Sequence, residues 1–207
     1  WGERDFDFPH SVPIGSHVPI AAGVALALKH YRAPSAAVCV FGDGATSEGA
    51  TYEAMNIAAV MDLPVIFFID NNQWAISVPV AKQTAAETLA QKGIAAGIGW
   101  SVQVDGSDVP AVYEVAYRAL KRALEGKGPS LIEALTYRLS DHTTADVGST
   151  PRYRSVEEVA KAKENEPNAR LRRLLERAGE WSESDEQTLA LEAREAVERA
   201  AAEYLRL

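Results

Sequence analysis

Two short polar segments hold the side chains best suited to chemistry. Gly42-Asp43-Gly44 ends one apolar run of the sequence, and Asn71-Asn72 ends the next. In an open α/β sheet the carboxyl ends of parallel strands meet at one edge, where phosphate-bearing ligands bind. A carboxylate beside a phosphate needs a cation between them, and Mg²⁺ takes carboxylate and amide oxygens as ligands. We therefore predict that Asp43 and Asn72 hold a divalent metal ion next to a diphosphate.

Two other phosphate-binding motifs are excluded by single positions. A dinucleotide-binding fingerprint that starts at Gly42 requires a third glycine at position 47, where the sequence has Ser47. A P-loop over Gly44 to Gly49 has the right spacing, but Ala50 follows it where a lysine must neutralise the phosphate charge. The acidic turn is thus neither of these motifs.

The surrounding sequence alternates between strand and helix patterns. Short apolar runs bounded by Gly, Pro or Asp predict buried parallel strands at 36–41, 64–70, 100–104 and 130–136. Apolar residues at three-to-four spacing predict helices at 18–31, 47–61, 85–96 and 109–124. This alternation predicts an α/β fold with a doubly wound parallel sheet flanked by helices.

The second part of the chain has a different pattern. Residues 138–154 lack periodicity, and an unstructured stretch of this length in a compact domain is typically a functional loop. Helix signals then follow at 155–163, 167–178 and 182–205. We interpret the apolar face of the last of these helices as a packing surface or a subunit contact. The sequence therefore predicts an α/β domain over 1–154 and a C-terminal helical extension over 155–207.

Composition and charge limit the possible partners. The 207 residues carry a formal net charge of -8, which argues against non-specific binding to nucleic acid or to an anionic membrane. Cys39 lies in an apolar run and is predicted to be a core thiol, so a reducing compartment such as the cytoplasm, or the mitochondrial matrix of a eukaryote, fits best. The apolar stretch 18–28 is too short to span a bilayer. Because the chain opens on Trp1, we expect further sequence upstream.

The spacing of the two polar segments adds a family resemblance. Twenty-seven residues lie between Gly44 and Asn72, and the pair resembles the thiamine-diphosphate-binding motif. The wider sequence resembles the alpha subunit of the decarboxylases of pyruvate and branched-chain 2-oxoacid dehydrogenase complexes, over roughly residues 12–160. The phrases that carry this resemblance are 42–49, 55–59, 71–79, 84–92, 104–106, and 137–138 together with His142.

The resemblance implies thiamine diphosphate and Mg²⁺ as cofactors and assigns a role to each of eight positions. Metal ligands would be the side chains of Asp43 and Asn72 and the backbone carbonyl of Trp74. Cofactor contacts would come from Ile14, Gly44, Ala45, Arg138 and His142, of which His142 would also be catalytic, in proton transfer during acyl transfer. From the residues alone, a surface ion pair for Arg138 and a solvated histidine for His142 stay open as interpretations.

The resemblance also implies an incomplete active site. In that family the glutamate that activates the cofactor belongs to a beta subunit, and Glu48 and Glu53 are more simply helix-start acids. We therefore expect an α₂β₂ assembly that oxidatively decarboxylates a small 2-oxoacid and passes the acyl group to a lipoyl domain. Overall resemblance favours a pyruvate dehydrogenase; branched-chain or acetoin dehydrogenase, or a non-catalytic assembly subunit, are the alternatives. The segment 144–152 departs from the family in lacking paired acids.

Overall fold

The computed structural model describes residues 13–143 and 153–204. Its strands are β1 (Ala37–Gly42), β2 (Val65–Asn71), β3 (Trp74–Ala75), β4 (Val78–Pro79), β5 (Ser101–Asp105) and β6 (Ser130–Leu135). Strands β1, β2, β6 and β5 lie side by side in this order and all run parallel, whereas β3 and β4 form a small antiparallel hairpin. The four predicted strands are thus confirmed, and the hairpin was not predicted.

Helices fill most of the remaining described chain. They are α1 (His17–His30), α2 (Gly49–Val60), α3 (Ala90–Ala95), α4 (Val109–Leu124), α5 (Val156–Lys163), α6 (Pro167–Ala178) and α7 (Glu183–Tyr204). The predicted bounds of α4 are confirmed; the Asp108 carboxylate caps its start by accepting from the Ala111 N–H at 3.0 Å.

Two predicted helix starts were wrong. The helix after β1 begins at Gly49, because Asp43–Ser47 forms a 3₁₀ turn and Glu48 is extended. The helix predicted at 85–96 is only six residues long, because the chain before Ala90 forms turns instead. In both places irregular backbone lies next to the candidate site.

Helices pack on both faces of the sheet. On one face α1, α2 and α3 pack over a buried apolar cluster that includes Cys39, Phe67 and Leu131. On the other face α4 packs through Ala119 against Ile66 of β2 and Ile132 of β6. Alternate residues of β2 and β6 therefore serve opposite layers, whereas Val38 and Val40 of β1 are exposed on the α4 side. Helices on both faces confirm the doubly wound parallel sheet.

The chain divides into two compact units, residues 1–164 and 165–207. Helix α5 belongs to the first unit, while α6 and α7 form the second and are joined by an ion pair of 2.5 Å between Arg172 and Glu186. Gly179 ends α6 in the left-handed conformation, φ 74°, that a helix C-cap favours. The domain boundary at residue 154 stays a prediction. Within 13–143 and 153–204, no helix is long and apolar enough to cross a membrane.

Candidate functional site

The turn after β1 places Asp43 in the interior at the carboxyl edge of the sheet. Gly42 is paired with Asp70 of β2, so the chain leaves β1 where β2 also nears its end. Asp43 is only 1% exposed, and its carbonyl accepts a hydrogen bond of 2.7 Å from the Thr46 hydroxyl that closes the turn. A buried carboxylate is costly unless it is paired, hydrogen-bonded or bound to metal. The Asp43 carboxylate therefore needs a hydrogen-bond donor or a cation close to it.

The surroundings of Asp43 raise the pKa of its carboxyl group. Burial is the largest cause, and the nearby Asp70 carboxylate acts in the same direction. A hydrogen bond of 2.6 Å, donated by Gln83 Nε2 to Asp43 Oδ2, and the charge of Arg138 lower the pKa but do not outweigh burial. Within the described residues the carboxylate is held by an amide and makes no ion pair, an environment that a cation would improve.

Gly44 brings the turn into contact with the β3–β4 hairpin. A Cβ atom added at Gly44 would lie 2.8 Å from the Cβ of Ala75, closer than side chains pack. Only glycine permits this approach without a shift of the backbone. The contact places Gly44 and its neighbour Ala45, the two predicted backbone donors to the diphosphate, beside the segment that carries Trp74.

The turn that follows β2 is built around the side chain of Asn72. Its Oδ1 atom accepts a hydrogen bond of 3.2 Å from the Trp74 N–H, which is an Asx turn. Gln73 (φ 74°) and Ile76 (φ 54°) adopt left-handed backbone conformations, which cost energy in residues other than glycine. Strained turns of this kind cluster at binding sites, where the surrounding structure enforces them.

Arg138 joins this turn to the segment after β6. Its Nη1 donates to the Trp74 carbonyl at 3.0 Å, and its Nη2 donates to the Ile76 carbonyl at 2.7 Å and to the Tyr153 hydroxyl at 2.9 Å. His142 Nδ1 lies 3.4 Å from Arg138 Nη1. Since a guanidinium only donates, this contact is a hydrogen bond in the tautomer of His142 whose Nδ1 is unprotonated.

An open cleft of about 440 Å³ lies on the α4 side of the sheet. Of the predicted site residues, Asn72 and Arg138 line it, whereas Asp43, Gly44, Ala45, Trp74 and His142 do not. Polar groups from the carboxyl ends of β2 and β6 line it, namely Asp70, Asn72, Thr136, Tyr137 and Arg138. A larger groove, about 630 Å³, follows α1 and is almost wholly apolar, with none of the predicted site residues in its lining. Of these two, we take the smaller cleft as the functional one, because orienting polar groups converge in its lining.

The residues present fit a hard metal ion shared with a diphosphate. Among the described residues no group of three or more His, Cys, Asp or Glu side chains could hold a metal alone. A metal at Asp43 would therefore need the amide oxygen of Asn72, the carbonyl of Trp74 and oxygens from the ligand. One carboxylate, one amide and one carbonyl form an oxygen donor set typical of Mg²⁺ with a phosphate ligand. In this structure the Trp74 carbonyl accepts from Arg138 instead.

The predicted residues differ in how closely the structure associates them. Asn72 and Arg138 both bond to Trp74, and Arg138 contacts His142. Ile14 is different: it is 61% exposed at the start of the described chain. Its neighbour Gly15 (φ 76°) packs against the first turn of α2, where an added Cβ would lie 2.9 Å from Thr51 Oγ1.

Sequence reasoning missed several residues that complete the site. Gln83 bonds to Asp43, Tyr153 bonds to Arg138, and the Thr136 hydroxyl donates to Asp70 at 2.5 Å. Arg154, 4% exposed, donates to the carbonyls of Arg138 and, at 2.9 Å, Ser140. No motif in the sequence predicts a role for these residues, although Thr136 and Tyr153 are close in sequence to Arg138.

Comparison with known proteins gives one family. A family model described as dehydrogenase E1 component matches residues 5–204. Mycobacterium tuberculosis 3-methyl-2-oxobutanoate dehydrogenase subunit alpha is 47% identical over 186 residues, which cover 90% of this chain and 50% of that protein. Staphylococcus aureus pyruvate dehydrogenase E1 component subunit alpha is 47% identical over 190 residues, covering 92% and 49% respectively. The chain spans about half the length of these relatives.

Proposed function

Because this chain belongs to the dehydrogenase E1 component family, we propose that it is the alpha subunit of a 2-oxoacid dehydrogenase that binds thiamine diphosphate through Mg²⁺. The observation that carries the proposal is the buried Asp43 carboxylate, which lies on the turn after β1, next to a strand that ends in the Asn72 turn. Dependence on thiamine diphosphate is general in this family. The proposal assigns the metal to Asp43, Asn72 and the Trp74 carbonyl.

Each residue would then have a defined task. When bound, thiamine diphosphate supplies the nucleophilic carbon and the electron sink for decarboxylation of a 2-oxoacid. Gly44 and Ala45 donate backbone N–H groups to the diphosphate, Arg138 contacts its oxygens, and Ile14 packs on the aminopyrimidine ring. To serve these oxygens, Arg138 would have to release one or more of its present partners, and release of the Trp74 carbonyl would leave that oxygen to the metal. His142 moves a proton during transfer of the acyl group.

The substrate class is a small 2-oxoacid. The relatives named for pyruvate and for 3-methyl-2-oxobutanoate have the same identity to this chain, 47%. We propose pyruvate as the first substrate to test, with branched-chain 2-oxoacids as the second, and a lipoyl domain as the acyl acceptor. An acetoin dehydrogenase alpha subunit is the remaining enzymatic alternative.

A beta subunit is the proposed partner, in an α₂β₂ assembly. The two acids nearest the phosphate turn that could have activated the aminopyrimidine, Glu48 and Glu53, are both exposed at the start of α2. Neither is held toward the cleft by a described contact. The activating carboxylate is therefore assigned to the partner, and the isolated chain should not decarboxylate any 2-oxoacid.

Calorimetry tests the metal and the cofactor together. The chain assembled with its beta subunit should bind thiamine diphosphate in the presence of Mg²⁺ and bind it poorly in the presence of a chelator, because Asp43 would otherwise face the diphosphate without a cation between them. The assembly should then decarboxylate one or more 2-oxoacids. Equal cofactor affinity in both conditions would contradict the metal bridge. Metal-dependent cofactor binding without turnover of any 2-oxoacid would indicate a non-catalytic assembly subunit.

A further inference from the structure

Glu133 is a buried carboxylate in the middle of β6. It is 1% exposed and lies on the same face of the sheet as Leu131, beneath α3. Its Oε1 accepts a hydrogen bond of 2.7 Å from Asn71 Nδ2, and its Oε2 accepts one of 2.9 Å from the Ala90 N–H. Both oxygens of one carboxylate are thus used to hold two different segments.

Packing alone does not account for a carboxylate at this position. The neighbouring residues of β6 on the same and the opposite face, Leu131 and Ile132, are fully buried apolar side chains. Glu133 makes no ion pair with any described residue, so no cation offsets the cost of burying its charge. An apolar residue would satisfy the core at lower cost. The two hydrogen bonds are therefore the property that distinguishes Glu133 from its neighbours.

From Glu133 the contacts lead directly into the turn that carries Asn72. Asn71 donates its Nδ2 to Glu133, which fixes its side-chain amide and turns Oδ1 toward Gln73. That Oδ1 accepts from Gln73 Nε2 at 3.0 Å and from the Gln73 N–H at 3.3 Å. Gln73 is one of the two strained residues of this turn, and Asn72 lies between it and Asn71. The buried carboxylate thus orients the residues on both sides of Asn72.

Helix α3 extends the same network to the turn that carries Asp43. Ala90, at the start of α3, donates to Glu133, and Lys92, two residues later, reaches the 3₁₀ turn. Lys92 Nζ donates to Thr46 Oγ1 at 2.8 Å and to the Thr46 carbonyl at 3.1 Å, and Thr46 in turn donates to the Asp43 carbonyl. Partial burial lowers the pKa of Lys92. One short helix therefore connects the turns of the two proposed side-chain ligands.

We infer that Glu133 is a positioning residue for the metal site, because it fixes Asn71 and α3 and so sets the Asn72 turn relative to the Asp43 turn. This inference rests on the proposed function, since it supposes that these turns share a metal ion. Residues that orient metal ligands without touching the metal typically change metal affinity by about 10- to 100-fold when they are replaced. Glu133 is expected to act in this range.

Manganese binding gives a direct measurement. The full chain, assembled with its beta subunit, is titrated with Mn²⁺ in excess thiamine diphosphate, and free Mn²⁺ is followed by electron paramagnetic resonance. In Glu133→Gln an amide NH₂ group replaces one carboxylate oxygen and cannot accept a hydrogen bond, so the bond from either Asn71 or Ala90 is lost. We expect about 10- to 100-fold weaker Mn²⁺ binding. Glu164→Gln, an exposed acid of the same unit, is the matched control and should bind Mn²⁺ like the wild type.

An exchange of the two side chains separates positioning from stability. In Asn71→Asp combined with Glu133→Gln, the new amide can donate to the new carboxylate and still accept from Ala90, with no change in net charge. This pair should recover most of the Mn²⁺ affinity that each single substitution loses. Ile132→Val, on the other face of β6, should lower the unfolding temperature of the chain and leave Mn²⁺ affinity unchanged.

The possible outcomes are distinct. Wild-type assembly that binds no Mn²⁺ with thiamine diphosphate would overturn the proposed function itself. Tight Mn²⁺ binding by the wild type together with unchanged affinity in Glu133→Gln, or a double variant as weak as the singles, would overturn the positioning role alone. Should Glu133→Gln fail to assemble, Gln73→Met removes a later contact of the same network without touching the buried carboxylate. Unchanged Mn²⁺ affinity in that variant would likewise overturn the inference.

Discussion

The middle of β1 and its carboxyl end each bury an ionisable group, and the two groups have very different surroundings. Cys39 lies within the apolar cluster beneath α1 and α2, and burial alone raises the pKa of its thiol to about 12. Asp43, four residues later, is buried as deeply, but an amide, a second carboxylate and a guanidinium all act on its pKa. Burial perturbs both groups, yet polar groups converge only on Asp43.

This difference shows what marks the site in this fold. A raised pKa reports desolvation wherever it occurs and does not by itself identify a functional residue. At the carboxyl edge, the buried polar residues Asp43 and Asn71 replace the apolar ones of the strand interiors, and Asn71 is bonded to the buried Glu133 inside β6. The segment after β6 is different again, since Arg138 and the exposed His142 are held mainly through backbone carbonyls and each other.

The largest expected effect comes from Asp43→Asn. The new amide keeps an oxygen for Gln83 but lacks the charge that a metal requires, so Mg²⁺-dependent binding of thiamine diphosphate should be lost. The same change removes a buried charge that is unpaired among the described residues, so the metal-free chain should unfold at a higher temperature than the wild type. Calorimetry of cofactor binding and thermal unfolding in a chelator measure the two effects.

Asp62→Ala provides the matched control for Asp43→Asn. Asp62 lies just beyond the far end of α2 and should leave cofactor binding nearly intact. Its positive φ of 46° makes it a turn residue, so its replacement acts on the fold and not on the metal. A metal-free Asp43→Asn chain less stable than the wild type would contradict the view that the carboxylate is costly without its cation.

His142→Ala should have the next largest effect, and only on one step. His142 is exposed and contacts Arg138 Nη1, the nitrogen that also donates to the Trp74 carbonyl, and it has no described contact with the buried Asp43 turn. We therefore expect transfer to a lipoyl domain to slow by about a hundred- to ten-thousand-fold. Turnover with an artificial electron acceptor should fall far less.

The two assays use the alpha chain assembled with its beta subunit. His30→Ala is the control, because His30 is an exposed histidine at the end of α1 that packs on Tyr31. It should match the wild type in both assays. Near-wild-type rates of His142→Ala with both acceptors would support the alternative interpretation, in which His142 is a solvated loop histidine with no role in acyl transfer.

Sequence patterns predicted those parts of this molecule whose structure follows from residues close together in the sequence. The four parallel strands and α4 follow from apolar periodicity, and Asp43 and Asn72 follow from their place after two strands. The β3–β4 hairpin and the short α3 do not follow from such local patterns, and the close contacts there, of Ala75 with Gly44 and of Gly93 with Leu131, join residues distant in sequence. Glu133 carried a visible signal, a charge inside an apolar strand, but its partners Asn71 and Ala90 are distant in sequence.

The smallest expected effect concerns Cys39. It tests whether a buried ionisable group that has no polar neighbours has no effect on cofactor binding. Because the pKa of the thiol is raised to about 12, almost no thiolate exists at pH 8, and the packed cluster also blocks access. A disulfide reagent that reports the released thiolate should not react with the folded chain. It should modify one thiol per chain in denaturant, because the sequence has a single cysteine.

Cys39→Ala should lower the free energy of unfolding by about 1 kcal/mol and leave metal-dependent cofactor binding unchanged. Rapid modification of the native chain would contradict the burial of the thiol. Weaker cofactor binding in the variant would show that the middle of β1 is coupled to the site at its carboxyl end.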